Sequence, residues 1–222
     1  MTGIGERISY YKRQLPETAR LVAVSKFHPV EMLSEAYDAG QRVFGESRVQ
    51  ELIAKREMLP DDIEWHFIGS LQTNKVKQIV PFVSMIHAID SERLLLAVEK
   101  AASAIGREVR CLLQIHIARE ETKHGFSFVE CRGMLDRGII KELKFVRICG
   151  LMGMATFTDD REEIAREFGN LQNFYMELKE GVFSGNNDFC ELSMGMTEDY
   201  VEAVKYGSTM VRIGSGIFGE RI

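Results

Sequence analysis

The sequence holds no Cys-x-x-Cys pair: Cys111, Cys131, Cys149 and Cys190 stand far apart. This excludes the paired-ligand spacing of a structural zinc site and of a thioredoxin-like redox motif. Cys111, Cys149 and Cys190 fall in apolar runs and read as buried, reduced thiols. His28, His66, His87, His116 and His124 are equally dispersed, so no metal site is expected. A basic excess is also missing. With 28 Lys and Arg against 33 Asp and Glu the net charge is −5, which argues against nucleic acid as a partner, because such proteins release counterions with a basic face. No apolar run is long enough to span a bilayer, and residues 1–7 lack the apolar core of a signal peptide. A cytoplasmic protein without membrane contact is expected.

What is present has ordinary globular proportions, 45% hydrophobic and 27% charged. A length of 222 residues suits one domain covering 1–222, since α/β barrels commonly occupy 200 to 250 residues as a unit. Short apolar runs at 21–26, 42–46, 64–69, 85–90, 109–117, 145–152, 189–193 and 209–213 read as strands buried on both faces. Helical patterns separate them, at 49–59, 74–80, 92–105, 128–135, 160–179 and 198–206, with another that Pro29 opens and Gly40 ends. A further amphipathic segment at 4–15 precedes the first strand. Eight strand–helix units without a composition break are what a (β/α)8 TIM barrel requires.

In such a barrel, side chains at the carboxyl ends of strands converge on a ligand. Leu21-Val22-Ala23-Val24-Ser25-Lys26 ends in a lysine at that position. A loop lysine snorkelling to water is the ordinary reading, yet a lysine on a dry strand end can become a Schiff-base nucleophile. Gly214-Ser215-Gly216-Ile217-Phe218-Gly219 spells G-x-G-x-x-G but lacks the downstream helix and acidic residue of a dinucleotide site. A glycine- and serine-rich turn after the eighth strand suits a phosphate instead. Leu192-Ser193-Met194-Gly195-Met196-Thr197 supplies the neighbouring half, with Ser193 and the amides around Gly195 as donors and Thr197 as a helix cap. Arg212 interrupts an apolar strand and must point either out to helix-borne carboxylates or in toward a ligand. His66 reads on its own as a core histidine and is carried with these as a candidate cofactor neighbour. The paired acids Asp61-Asp62, Glu120-Glu121 and Asp159-Asp160 are explained by capping.

Ala23-Val24-Ser25-Lys26, Phe44-Gly45-Glu46, the run from Trp65-His66-Phe67 to Asn74-Lys75, Lys123-His124-Gly125, Gly150-Leu151-Met152, Leu192-Ser193-Met194-Gly195-Met196 and the run from Gly207-Ser208 to Phe218-Gly219 occur in this order. With them the chain resembles the pyridoxal phosphate homeostasis proteins, relatives of the alanine racemase amino-terminal barrel. The resemblance implies that Lys26 carries pyridoxal 5′-phosphate (PLP) as a covalent Schiff base and that Arg212 faces the pyridine nitrogen. It also implies that Ser193, Gly195, Gly214 and Ser215 surround the phosphate. Ser47 and His116 replace common asparagines of that family, and Ser215 replaces a threonine. The expected function is a non-catalytic carrier, a monomer or weak dimer that regulates free PLP and supplies PLP-dependent apoenzymes. The alternatives are a PLP-dependent racemase and, from the residues alone, a Schiff-base aldolase. Racemisation needs acid/base groups on both faces of the substrate carbon. The second face is completed in two-domain racemases by a carboxyl-terminal domain, for which a chain ending at Ile222 is expected to leave no room.

Overall fold

A computed structural model describes residues 3–120 and 124–220; Glu121 and Lys123 of the motifs above lie outside the described residues. Eight strands form a closed barrel in chain order, β1 through β8, every adjacent pair parallel. They are β1 (Arg20–Val24), β2 (Val43–Glu46), β3 (Glu64–Phe67), β4 (Met85–Ile89), β5 (Val109–Ile115), β6 (Val146–Gly153), β7 (Glu191–Ser193) and β8 (Met210–Ile213). The helices are α1 (Ile4–Gln14), α2 (Val30–Asp38), α3 (Val49–Met58), α4 (Val76–Ile79), α5 (Glu92–Ile105), α6 (Phe128–Asp136), α7 (Arg161–Glu180), α8 (Tyr200–Lys205) and α9 (Ser215–Phe218).

Two apolar layers follow from the alternation of strand side chains. Leu21, Ala23, Phe44, Trp65, Phe67, Leu113, Val211 and Ile213 face outward and pack under the helices. Val22, Met85, Leu112, Cys149, Met152 and Met210 form a separate cluster inside the barrel. A residue's parity along its strand therefore decides whether it can reach the interior.

Helix ends follow their capping chemistry. Ser91 accepts from Leu94 N–H at the start of α5, and Gly106 closes that helix in the left-handed conformation (φ 64°). Asp160 accepts from the Glu162 and Glu163 amides to open α7. Differences from the expected elements are chiefly at ends: β3 stops at Phe67, β5 at Ile115, and a 3-10 turn over Thr73–Lys75 precedes α4. Three expectations are corrected. Cys190 is exposed rather than buried, because it precedes β7 outside the apolar layers. The glycine-rich run after β8 closes into the short helix α9, since Ile217 and Phe218 bury their side chains. Asp199, not Thr197, stands at the start of α8.

Candidate active site at the carboxyl end of the barrel

Lys26 shares the inward parity of Val22 and Val24 and lies just past the end of β1, half-buried. The β1–β8 register sets Val22 beside Arg212 and Ala23 beside Ile213. It thereby brings Gly214 against the end of β1, where a Cβ on that glycine would lie 3.4 Å from the Val24 carbonyl oxygen. Lys26 and the β8–α9 loop are neighbours by this pairing alone.

Arg212 points inward and is 4% exposed. Its Nη1 donates to Ser193 Oγ at 2.6 Å and its Nη2 to the Gly153 carbonyl at 2.9 Å. Among the described residues no carboxylate lies within ion-pair distance of it, and burial lowers its pKa to about 10. At neutral pH this is a charged guanidinium held by neutral acceptors only.

Ser193 is fully buried and continues the chain: His87 Nδ1 lies 3.0 Å from its hydroxyl, and His87 Nε2 lies 2.9 Å from His66 Nδ1. Arginine has donors only, so Ser193 accepts from Arg212. The arrangement that satisfies every proton has the serine hydroxyl donating to His87 Nδ1 and His87 Nε2–H donating to His66. Both rings are neutral: burial pushes the His66 pKa down to about 3 and that of His87 well below its ordinary value. His66, Ser193 and Arg212 are thus joined through His87, which the sequence marked only as one more dispersed histidine.

The loops after β7 and β8 meet above this interior. Gly195 adopts φ +91°, and a Cβ there would come within 2.6 Å of Ala203 Cβ, so the loop needs glycine on both counts. Its carbonyl accepts from Arg212 N–H at 2.9 Å, and Ser215 Oγ lies 3.3 Å from Thr197 Oγ1. Gly195, Gly214 and Ser215 therefore share one rim with Lys26, whereas Ser193 sits deeper with its hydroxyl already engaged.

Behind β1, on the helix side, lies a buried polar cluster that sequence reasoning missed. Lys55 Nζ contacts the Ser25 carbonyl at 2.7 Å, Glu46 Oε1 at 2.6 Å and Glu51 Oε1 at 2.7 Å. Ser25 and Glu46 stand in motifs quoted above, but Glu51 and Lys55 are marked only as an i,i+4 pair, a spacing that ordinarily marks a solvated helix face.

The family model of the alanine racemase amino-terminal domain matches residues 3–222 of this chain. The "Pyridoxal phosphate homeostasis protein" of Schizosaccharomyces pombe is 37% identical over 229 residues, which cover 100% of this chain and 94% of that protein. That of Aquifex aeolicus is 37% identical, with 91% and 87% covered. The PipY structure of Synechococcus elongatus, solved with PLP bound, is 36% identical, covers 97% of this chain and 100% of its own, and superposes with a TM-score of 0.87. The chain belongs to the pyridoxal phosphate homeostasis protein family. Alanine racemase of Clostridium difficile shares the fold (TM-score 0.78) at 13% identity, over 56% of that enzyme.

Proposed function

We propose that the protein binds PLP on Lys26 and serves as an intracellular carrier that holds and hands on the cofactor without turning over a substrate. The observation that carries this reading is the fit of the donor set. Arg212 presents a buried positive charge that only neutral groups contact, which suits an anionic, acceptor-bearing ligand and is costly without one. Lys26, just past the end of the neighbouring β1, supplies an amine within the same rim. The amides of Gly195 and Gly214 with the hydroxyls of Ser215 and Thr197 suit a phosphate, and Ser193 orients Arg212 from below. Bound PLP supplies an aldehyde that reacts with amines and a ring that draws off electron density.

The carrier role draws on Arg212 as well. A guanidinium beside the ring nitrogen of bound PLP would disfavour its protonation and so weaken its pull on electrons, whereas a carboxylate would strengthen it. We place the protein in the cytoplasm as a monomer or weak dimer with PLP-dependent apoenzymes as recipients; no helix among the described residues is long and apolar enough to cross a membrane.

The test is borohydride reduction of the yellow purified protein followed by peptide mapping, with Lys26→Ala in parallel. Cofactor fixed on Lys26, a colourless but folded Lys26→Ala, and transfer of PLP to an apoenzyme are expected. An adduct on another lysine refutes the site. Steady racemisation of alanine by pure protein refutes the carrier role.

A further inference from the structure

The Glu46–Lys55–Glu51 cluster lies behind β1, on the helix side, and touches both peptide units that flank Lys26. The Ser25 carbonyl, in the peptide before Lys26, accepts from Lys55 Nζ at 2.7 Å. The Phe27 amide, in the peptide after it, donates to Glu51 Oε1 at 2.6 Å. Ser25 is held further: its hydroxyl donates to Glu46 Oε1 at 2.7 Å, its amide donates to the Gly45 carbonyl at 3.0 Å, and its carbonyl also accepts from the His28 amide at 3.1 Å, closing a turn around Lys26 and Phe27. All three Lys55 protons are thereby used, and its side chain is 5% exposed.

This much polar hardware needs a reason. Phe27 has φ +68°, the left-handed region, where a non-glycine residue costs on the order of 1–2 kcal/mol and persists only when its surroundings dictate it. Buried ion clusters are in general poor stabilisers, and apolar replacements of equal volume often do as well. Glu46 even leaves its Oε2 buried without a partner. What such a cluster does well is fix geometry.

We propose that Lys55, with Glu51 and Glu46, is a positioning residue: it clamps the two peptide planes around Lys26 and so aims the lysine into the barrel mouth. The proposal rests on Lys26 as the PLP attachment point. The clamp acts from outside the barrel, through backbone, and leaves the interior free for the ligand. On its far side is a cavity of about 590 Å³ lined by Phe27, His28, Val30, Glu51, Ala54 and Lys55, so a variant side chain has room.

The experiment compares PLP-loaded wild type with Lys55→Met, Glu51→Ala, Glu51→Gln and Leu52→Ala. PLP affinity, the visible circular dichroism of bound PLP, ligand-free melting and the borohydride adduct map are measured for each. Lys55→Met and Glu51→Ala are expected to bind PLP on the order of ten- to a hundredfold more weakly, the effect of a lost charged hydrogen bond, and to change the dichroism. Glu51→Gln, which keeps an oxygen for the Phe27 amide, is expected to stay near wild type. Leu52→Ala empties a core position of the same helix, α3, without removing any hydrogen-bonding group of the clamp and should lower melting without altering the dichroism.

An unchanged affinity and dichroism in Lys55→Met overturns the clamp, as does a Leu52→Ala that reproduces its loss. Should Lys55→Met not fold, the Glu51 pair decides: equal affinities for the alanine and glutamine variants overturn the proposal, and a gap between them supports it. An adduct on Lys26 beside an indifferent Lys55→Met sinks the clamp alone, whereas an adduct elsewhere sinks the attachment site with it.

Discussion

Replacing Arg212 by glutamine should affect the empty and the loaded protein very differently. Lowering of the guanidinium pKa from 12.5 to about 10 by burial corresponds to about 3 kcal/mol spent on burying the charge. Its two side-chain hydrogen bonds, to Ser193 Oγ and the Gly153 carbonyl, return about 1.5 kcal/mol each, the low end for a charged donor. The two sides nearly cancel. Ligand-free Arg212→Gln should therefore melt within about 5 °C of wild type, because 1 kcal/mol moves a domain of this size by about 2 to 4 °C. The loaded protein loses a charged donor facing the ligand, about 1.5 to 3 kcal/mol, or roughly ten- to a hundredfold in PLP affinity. Calorimetry of the ligand-free protein and an absorbance titration with PLP read the two halves separately. Melting lower by more than about 10 °C would show a structural arginine, with a cost typical of a broken buried ion pair. Unchanged PLP affinity would show that Arg212 does not face the ligand.

Two further outcomes follow from the interior and from the close contacts of the barrel wall. His66 and His87 are held neutral by burial, with the charges of Arg20 and Arg110 adding for His66 and those of Arg212 and Arg20 for His87. The unfolded chain takes up these protons near pH 6.5, so stability is full above that pH and falls as the pH drops toward 3. Urea titrations at pH 7 and 4.5 should show His87→Asn losing less stability than wild type over that interval; equal losses would show that His87 is protonated in the fold. Gly150→Ala should prevent folding or cost well above 3 kcal/mol, since its Cβ would sit 1.7 Å from the Glu191 carbonyl oxygen. Gly106→Ala, also at positive φ but with no atom within 4 Å of the new Cβ, should cost only about 1 to 2 kcal/mol. Similar urea midpoints for the two would refute the packing argument.

The barrel was legible because strands buried on both faces leave unbroken apolar runs, and the turn and cap residues between them are local signals that Ser91, Gly106 and Asp160 carry unaided. Lys26 was legible for the same reason, as an abrupt charge at the end of such a run. Residues whose role depends on closure of the sheet were not. Ser193 reads as a phosphate donor until the pairing of β7 with β8 sets it under Arg212, and His87 reads as one more dispersed histidine until β4 is brought opposite β7. The Glu51–Lys55 pair has the spacing of a surface salt bridge, and nothing local says that α3 lays it against the carbonyl before Lys26. Residues that could touch a ligand thus announce themselves by a charge where the pattern expects an apolar side chain. Those that aim them are hidden, because their partners are backbone atoms and backbone carries no sequence. For this barrel the consequence is concrete: substitutions at Lys55 or Glu51, outside any motif that names a ligand, should act on the same lysine as substitutions within the site.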